Sequence, residues 1–172
     1  MFSLDSLVAV LDMTENDNIY SGKRILAIDD NPVILKSLHS IFTSRGAEVV
    51  MAMDGSEVIA YMSEHRPDVI LLDILFPPTP SQGSTIWDGL HILEWLRTLG
   101  QAADIPVIVI SGASPDKYKD RCLAEGVRAF FSKPIPVKEL LEAVREALNV
   151  SVEKAQAKTK SNTLPKLHLA SA

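Results

Sequence analysis

Five polar residues of the chain come within two residues after the ends of short apolar runs: Asp29, Asp30, Asp73, Ser111 and Lys133. Three carboxylates brought close together repel one another unless a cation joins them or one takes up a proton. Oxygen ligands with room for water suit Mg²⁺. A lysine and a hydroxyl beside them form a site for an anionic group, and a phosphoryl group carried on Asp73 fits this chemistry. The carboxylate would be the nucleophile, Mg²⁺ and Lys133 would offset phosphoryl charge, and Ser111 would donate a hydrogen bond.

The apolar runs before these residues are predicted to be strands of one parallel sheet. The runs are Arg24–Ile28, Asp68–Leu72, Ile105–Ile110 and Val127–Phe131. Runs this short and this rich in Val, Ile and Leu fit strands that are covered on both faces. Ligands of open parallel sheets bind at the carboxyl ends of the strands, so we expect the polar residues to share one pocket.

Five helices are predicted to alternate with five strands, which indicates a doubly wound α/β domain. Pro32 opens the first helix, Gly46 ends it, and Asp88 can cap the third. The second strand is predicted over Ala47–Met53, and the helices over 31–45, 57–65, 88–99, 115–125 and 137–148.

We expect residues 23–149 to form this domain, with a long loop at 74–87 and an extension at each end. Residues 1–22 carry Leu4, Leu7, Val8 and Leu11 at helical spacing, which predicts a helix that either caps the domain or mediates homodimerisation. Residues 150–172 lose this periodicity and are expected to be partly disordered, or to tether an acidic partner through their lysines.

Composition excludes several classes of function. A length of 172 residues with 47% hydrophobic residues fits a single domain, and a formal net charge of -5 argues against nucleic acid as a direct partner. No apolar run approaches the ~20 residues of a membrane span. The start of the sequence lacks a basic secretory signal, and the single cysteine, Cys122, fits a packing residue in a reducing compartment. We therefore expect a cytoplasmic protein that does not bind membranes.

Across residues 23–149 the chain resembles the receiver domain of bacterial two-component response regulators. The match consists of Asp29-Asp30 after the first strand, Asp73 after the third, Ser111-Gly112-Ala113 after the fourth and Lys133-Pro134 after the fifth. The resemblance implies a flavodoxin-like sheet in the order 2-1-3-4-5 and phosphorylation of Asp73 by a histidine kinase or a histidine phosphotransfer protein. It implies a signalling module that promotes its own Mg²⁺-dependent phosphorylation and dephosphorylation, not a classical enzyme.

Several residue roles are implied by the resemblance alone. Mg²⁺ would be held by Asp30, Asp73, Asp29 through water, and the backbone carbonyl of Leu75. The bond between Lys133 and Pro134 would be cis. Ser111 and Phe130 would form a switch that changes the binding of a downstream protein, which the sequence does not identify. Independently of the resemblance, the alternation of side chains along a strand should place Phe130 and Phe131 on opposite sides of the sheet.

The chain departs from the family pattern in two respects. Asp88-Gly89 arrives about eight residues late, so the loop 74–87 should overhang the pocket, where Phe76, Ile86 and Trp87 form a lid or fold back on the domain. No output domain follows the receiver, so we expect a stand-alone receiver that acts through protein contact, phosphate relay or self-association. Leu75 and Ala113 are apolar where the family tunes hydrolysis, which predicts slow dephosphorylation.

Three other functions remain open at the level of sequence. A Mg²⁺-dependent aspartyl-nucleophile phosphatase of the haloacid dehalogenase type shares the chemistry, although Asp29-Asp30-Asn31 does not supply its Asp-x-Asp pair. A flavin-binding electron carrier shares the fold, but this acidic turn does not suit a phosphate cradle. A receiver-like scaffold that works without phosphate is the third.

Overall fold

A parallel sheet of five strands forms the centre of the protein. The structure is a computed structural model, and it describes residues 19–75, 79–80, 86–87, 89–100, 102–112 and 115–161. In chain order the strands are β1 Arg24–Ile28, β2 Glu48–Ala52, β3 Val69–Leu72, β4 Thr79–Pro80, β5 Ile86–Trp87, β6 Val107–Ser111 and β7 Ala129–Ser132. The sheet has the order β2-β1-β3-β6-β7, and the short β4 and β5 form a separate antiparallel pair. Counting only the strands of the sheet, this is the predicted order 2-1-3-4-5, which is confirmed.

The helices follow the strands in alternation: α1 Pro32–Thr43, α2 Gly55–Glu64, α3 Gly89–Thr98, α4 Pro115–Ala124 and α5 Val137–Ser161. Local sequence explains where they begin and end. The side chain of Asn31 accepts a hydrogen bond from the Val33 amide at the start of α1, with proline in its first turn. Asp54 caps α2 in the same way. Beyond α1 the chain turns through Gly46 at φ +86°, a conformation that glycine adopts without strain.

The two faces of the sheet are covered by different helices, which gives two cores. Leu26 and Ile28 pack with residues of α2, α3 and α4, whereas Ile25 and Ala27 pack with residues of α1 and α5. Because every second residue of a strand faces the same core, strands covered on both faces need continuous apolar sequences. Phe130 lies against the first core and Phe131 against the second.

Tyr20 ties the chain before β1 to the second core. Its side chain is only 2% exposed, its hydroxyl donates to the carbonyl of Leu141 at 2.7 Å, and its ring meets that of Phe42 edge to face at 5.4 Å. Its amide also donates to the carbonyl of Arg45. Tyr20 therefore belongs to the packed domain, although we assigned it to the N-terminal extension from the sequence.

Arg97 joins the end of α3 to two loops at the amino edge of the sheet. Its guanidinium donates to four carbonyl oxygens, at 2.7 Å to Glu125, 3.1 Å to Ala103, 3.1 Å to Ile105 and 3.3 Å to Gly126. Burial lowers the pKa of this arginine. The side chain thus satisfies backbone groups that helices and strands leave unpaired.

The C-terminal helix extends further than the sequence pattern predicted. We expected it to end near Leu148, whereas α5 continues to Ser161. The added stretch is rich in Ala, Lys, Glu and Gln, which favour helix even without an apolar stripe. Residues 162–172 and residues 1–18, with the predicted N-terminal helix, lie outside the described residues.

Two expectations from composition concern the domain as a whole. Cys122 is a fully buried free cysteine, as expected for a packing residue. Among the helices that the structure describes, none is long and apolar enough to cross a membrane.

Candidate functional site

The predicted site residues lie at the carboxyl edge of four neighbouring strands. Asp29 follows β1, Asp73 follows β3, Ser111 ends β6 and Lys133 comes just after β7. The register pairs Ile28 with Leu72, so that the two aspartates leave adjacent strands at the same level. Parallel strands ~5 Å apart thus bring together residues that are far apart in the sequence.

The ammonium of Lys133 bridges the two buried aspartates. Its Nζ lies 2.6 Å from Asp29 Oδ2 and 2.6 Å from Asp73 Oδ2, and its side chain is 21% exposed. Burial by itself lowers the pKa of Lys133, but the two hydrogen bonds and the charges of both aspartates outweigh burial, and the pKa is raised. Lys133 is therefore a firmly held cation at the centre of the site.

The carboxylate of Asp73 is held on both oxygens. Oδ1 accepts hydrogen bonds from the Ser111 hydroxyl at 2.7 Å and from the Leu75 amide at 2.8 Å, while Oδ2 receives Lys133. The residue is 5% exposed, and its own amide donates to the Ile28 carbonyl. Such an arrangement fixes the carboxylate of Asp73 in one orientation.

Asp29 is the most buried acid of the site. Burial raises its pKa, while hydrogen bonds from Lys133 and from the Asn31 amide act in the opposite direction. Because the net shift is upward, the metal-free fold disfavours the charged form of Asp29. A cation bound beside Asp29 would act against this rise, because it stabilises the charged form.

Three aspartates form a cluster with the composition of a magnesium site. Oxygen atoms of Asp29, Asp30 and Asp73 lie within 4.8 Å of one another, and Asp30 is exposed to solvent. Three carboxylates and the single ammonium of Lys133 leave two formal negative charges, which one divalent cation neutralises. Hard oxygen ligands with one side open to water fit Mg²⁺. No contact of the Leu75 carbonyl tests its predicted role as a ligand.

Gly89 brings the start of α3 close to the backbone of Asp73 despite the inserted loop. A Cβ on this first residue of α3 would collide with the carbonyl oxygen of Asp73 and with the Cα of Ile74. Only glycine lets the helix approach the backbone of Asp73 so closely. From the sequence we noted only that this glycine comes late; a glycine at the start of a helix was the available signal.

The inserted loop leaves and rejoins the domain at this contact. Within it, the backbones of Thr79 and Trp87 and of Pro80 and Ile86 pair as the β4–β5 ladder. The proposed lid residue Phe76, the helix cap Asp88 and Ala113 lie outside the described residues, as do the side chains of Ile86 and Trp87. The lid hypothesis is therefore untested.

Ser111 and Phe130 face the same side of the sheet. Phe130 pairs with Val109 in the register of β6 and β7, and Ser111 lies two residues beyond Val109. Phe130 is half-buried against the first core. After β7 the peptide bond between Lys133 and Pro134 is cis.

Fold and site together define an α/β domain whose carboxyl edge combines aspartates, a lysine and a hydroxyl around one buried carboxylate. The chain belongs to the response regulator receiver domain family, whose model matches residues 25–145. The protein is therefore a receiver domain of a two-component response regulator, and its function is phosphorylation-dependent signalling.

Known relatives agree with this family. The chain is 29% identical over 126 residues to the polar-differentiation response regulator DivK of Brucella anthropi, an alignment that covers 73% of this chain and 96% of DivK. A CheY-like receiver domain protein from Methanospirillum hungatei superimposes with a TM-score of 0.67 at 27% identity, covering 77% of this chain and 98% of that one. The chemotaxis protein CheY4 of Vibrio cholerae gives 0.64 at 25% identity, covering 73% and 98%.

Proposed function

We propose that Asp73 accepts a phosphoryl group from the phosphohistidine of a histidine kinase or a histidine phosphotransfer protein, and that phosphorylation changes the binding of a downstream protein. The observation that supports this most strongly is the buried carboxylate of Asp73, held by Lys133 on one oxygen and by Ser111 on the other. Surface aspartates that only solvate a sheet edge have no such set of partners.

In the transfer step, an oxygen of Asp73 forms a bond to phosphorus while the bond between phosphorus and the donor imidazole nitrogen breaks. The electron pair of the broken bond returns to the imidazole, and the product on Asp73 is an acyl phosphate. Lys133 lies where it can offset charge on the phosphoryl oxygens, because its Nζ is already 2.6 Å from Asp73. The protein thus contributes positioning and charge.

Asp30, Asp73 and the backbone carbonyl of Leu75 would hold Mg²⁺, with Asp29 acting through water. When bound, Mg²⁺ supplies positive charge that offsets the charge of the transferring phosphoryl group. The ammonium of Lys133 neutralises only part of the acidic cluster, which supports the need for a further cation.

Ser111 and Phe130 would transmit the phosphorylated state. The Ser111 hydroxyl now donates to Asp73 Oδ1, and it would turn to a phosphoryl oxygen once Asp73 is modified. Phe130 faces the same side of the sheet and would move inward, which would remodel the surface near α4 and β7.

Intact-mass measurement tests the proposed acceptor. Purified protein is incubated with Mg²⁺ and acetyl phosphate, with Asp73→Ala as the test variant and Asp120→Ala, an exposed aspartate on α4, as the matched control. We expect one added phosphoryl group in the wild type and in the control, and none in Asp73→Ala. Absence of phosphorylation in the wild type, together with no binding of beryllofluoride, would favour the scaffold without phosphate chemistry.

We also propose that the phosphorylated form is long-lived. Leu75 is 47% exposed beside the acceptor and offers only an apolar side chain toward solvent, so it cannot orient an attacking water. Leu75→Asn supplies a polar group there and should shorten the lifetime of the phosphorylated form severalfold. The decay of the phosphorylated mass after removal of acetyl phosphate measures this, and a wild-type half-life of seconds would contradict it.

A further inference from the structure

A groove of positive charge lies on the face that α1 and α5 share, away from the acidic site. Two adjoining depressions meet at Ile19 and Tyr20, where the described chain begins. We define the basic groove by its charged residues, Lys23, Arg45, Lys138 and Arg145 with Glu142 as the single acid. Four basic side chains against one acid stand out in a chain whose formal net charge is -5.

The α5 side of the basic groove is a single stripe of the helix. Lys138, Leu141, Glu142, Arg145 and Leu148 line it at spacings of three and four residues, which place side chains on one helix face. From Lys138 to Leu148 this stripe is about 15 Å long at the rise of an α-helix. That length matches two to three turns of another helix lying alongside.

The basic side chains of the groove form no ion pair with any carboxylate that the structure describes. Arg45 instead donates to the Ile41 carbonyl and the Ser44 hydroxyl. Burial raises the pKa of Tyr20, and the charges of Arg45 and Arg145 act against this rise, so the positive field reaches the tyrosine at the centre of the groove. The groove therefore offers unneutralised charge to an acidic occupant.

Residues 1–18 have the complementary chemistry. They carry Asp5, Asp12, Glu15 and Asp17 and contain no Lys, Arg or His. Leu4, Leu7, Val8 and Leu11 recur at helical spacing. On a helix Asp5 and Asp12 fall along one edge of that apolar stripe, and Glu15 follows the stripe one turn beyond Leu11. The segment is joined directly to Ile19, which lines both depressions.

We propose that residues 1–18 bind the basic groove of their own chain as an amphipathic helix, with their acidic edge against Arg45, Lys138 and Arg145. The apolar stripe would pack on Leu141 and on Ile19, which is 39% exposed. Binding within the chain is favoured because the short connection to Ile19 gives the segment an effective concentration on the order of millimolar at the groove. The lining of the basic groove includes none of the residues of the acidic site, so this proposal does not depend on the phosphorylation chemistry.

Amide hydrogen exchange followed by mass spectrometry tests the proposal on the full chain. We expect the amides of residues 4–15 to exchange at least about tenfold more slowly than those of an unstructured peptide. The double variant Lys138→Glu/Arg145→Glu should abolish this protection, whereas Lys119→Glu/Lys117→Glu, the same charge change on α4, should retain it. High salt should weaken the protection as well, because partly exposed charges are screened.

Restoration by charge exchange separates the proposed contact from a general loss of stability. Adding Asp12→Lys/Glu15→Lys to the groove variant should restore part of the protection, because the two charges are then exchanged across the contact. Exchange of residues 4–15 at the rate of a free peptide in the wild type would refute the proposal. Protection that rises with protein concentration, together with a dimeric mass in solution, would refute binding within the chain and assign the groove to a second copy.

Discussion

Replacement of Lys133 by methionine should separate metal binding from stability. Methionine keeps an aliphatic side chain of similar length and removes the ammonium that bridges Asp29 and Asp73 at 2.6 Å. The acidic cluster then carries three uncompensated charges instead of two. We expect the variant to bind Mg²⁺ more tightly than the wild type while its metal-free form becomes less stable.

Both magnitudes follow from the geometry. Mg²⁺ binds carboxylate oxygens at about 2.1 Å, so an ion on either bridged aspartate would lie within about 7 Å of the Lys133 ammonium. At that distance, even at the dielectric constant of water, a single and a double positive charge repel by about 1.2 kcal/mol. Loss of this repulsion should lower the Kd for Mg²⁺ by about sevenfold or more. Loss of two charge-assisted hydrogen bonds should destabilise the metal-free protein by about 3 kcal/mol.

Isothermal titration calorimetry with Mg²⁺ at fixed ionic strength measures the affinity, and urea unfolding without Mg²⁺ measures the stability. Lys119→Met, which removes an exposed lysine from α4, controls for the change in net charge and should alter the free energy of unfolding by less than about 0.5 kcal/mol. If Lys133→Met binds Mg²⁺ with a Kd equal to or higher than that of the wild type, the ammonium of Lys133 does not oppose metal binding and the reasoning is refuted. Saturating Mg²⁺ should return part of the lost stability by mass action.

Three further predictions concern other positions. Gly89→Ala forces the start of α3 away from the backbone of Asp73 and should slow phosphorylation by acetyl phosphate at least about tenfold. Gly100→Ala, where an added Cβ meets nothing within 4 Å, should leave the rate unchanged. Arg97→Met removes four hydrogen bonds to carbonyl oxygens and should lower the free energy of unfolding in urea by about 3 kcal/mol. Arg121→Met removes an exposed ion pair and should lower it by less than about 1 kcal/mol. Equal losses of stability in the two variants would contradict this prediction. Asp29→Asn should make the metal-free protein more stable at pH 7. The pKa of Asp29 is higher in the folded than in the unfolded protein, so stability is lost as the pH rises through the folded-state pKa, and a neutral amide avoids that loss. A variant that is less stable than the wild type at pH 7 would contradict this prediction.

The strands and the polar edge could be predicted because their signals are local. β1 occupies the predicted residues, and β3 starts and ends within one residue of the predicted run, since strands buried on both faces must be continuously apolar. Once the order of strands was known, the residue after each strand had to lie at the same edge. The roles of Asp73 and Lys133 remain proposals, although their contact is now described by distance.

Contacts that join distant parts of the chain left no local signal. Tyr20 was assigned to the N-terminal extension, because one buried aromatic before a strand has no periodicity to identify it. Its partner Leu141 is 121 residues away. Arg97 resembles any exposed arginine at the end of a helix until its carbonyl partners are known. The length of α5 was underestimated for a different reason. Its last turns are favoured by local helix propensity and carry no apolar pattern from which to predict them.

The close approach of Gly89 to Asp73 means that the inserted loop begins and ends at nearly the same point in space. The entropy of closing such a loop grows slowly with its length, by only about 0.6 kcal/mol for each doubling. Changes of length or sequence in this loop therefore need not move the backbone of Asp73. Insertions and deletions between Leu75 and Gly89 should be tolerated as long as Gly89 itself is kept.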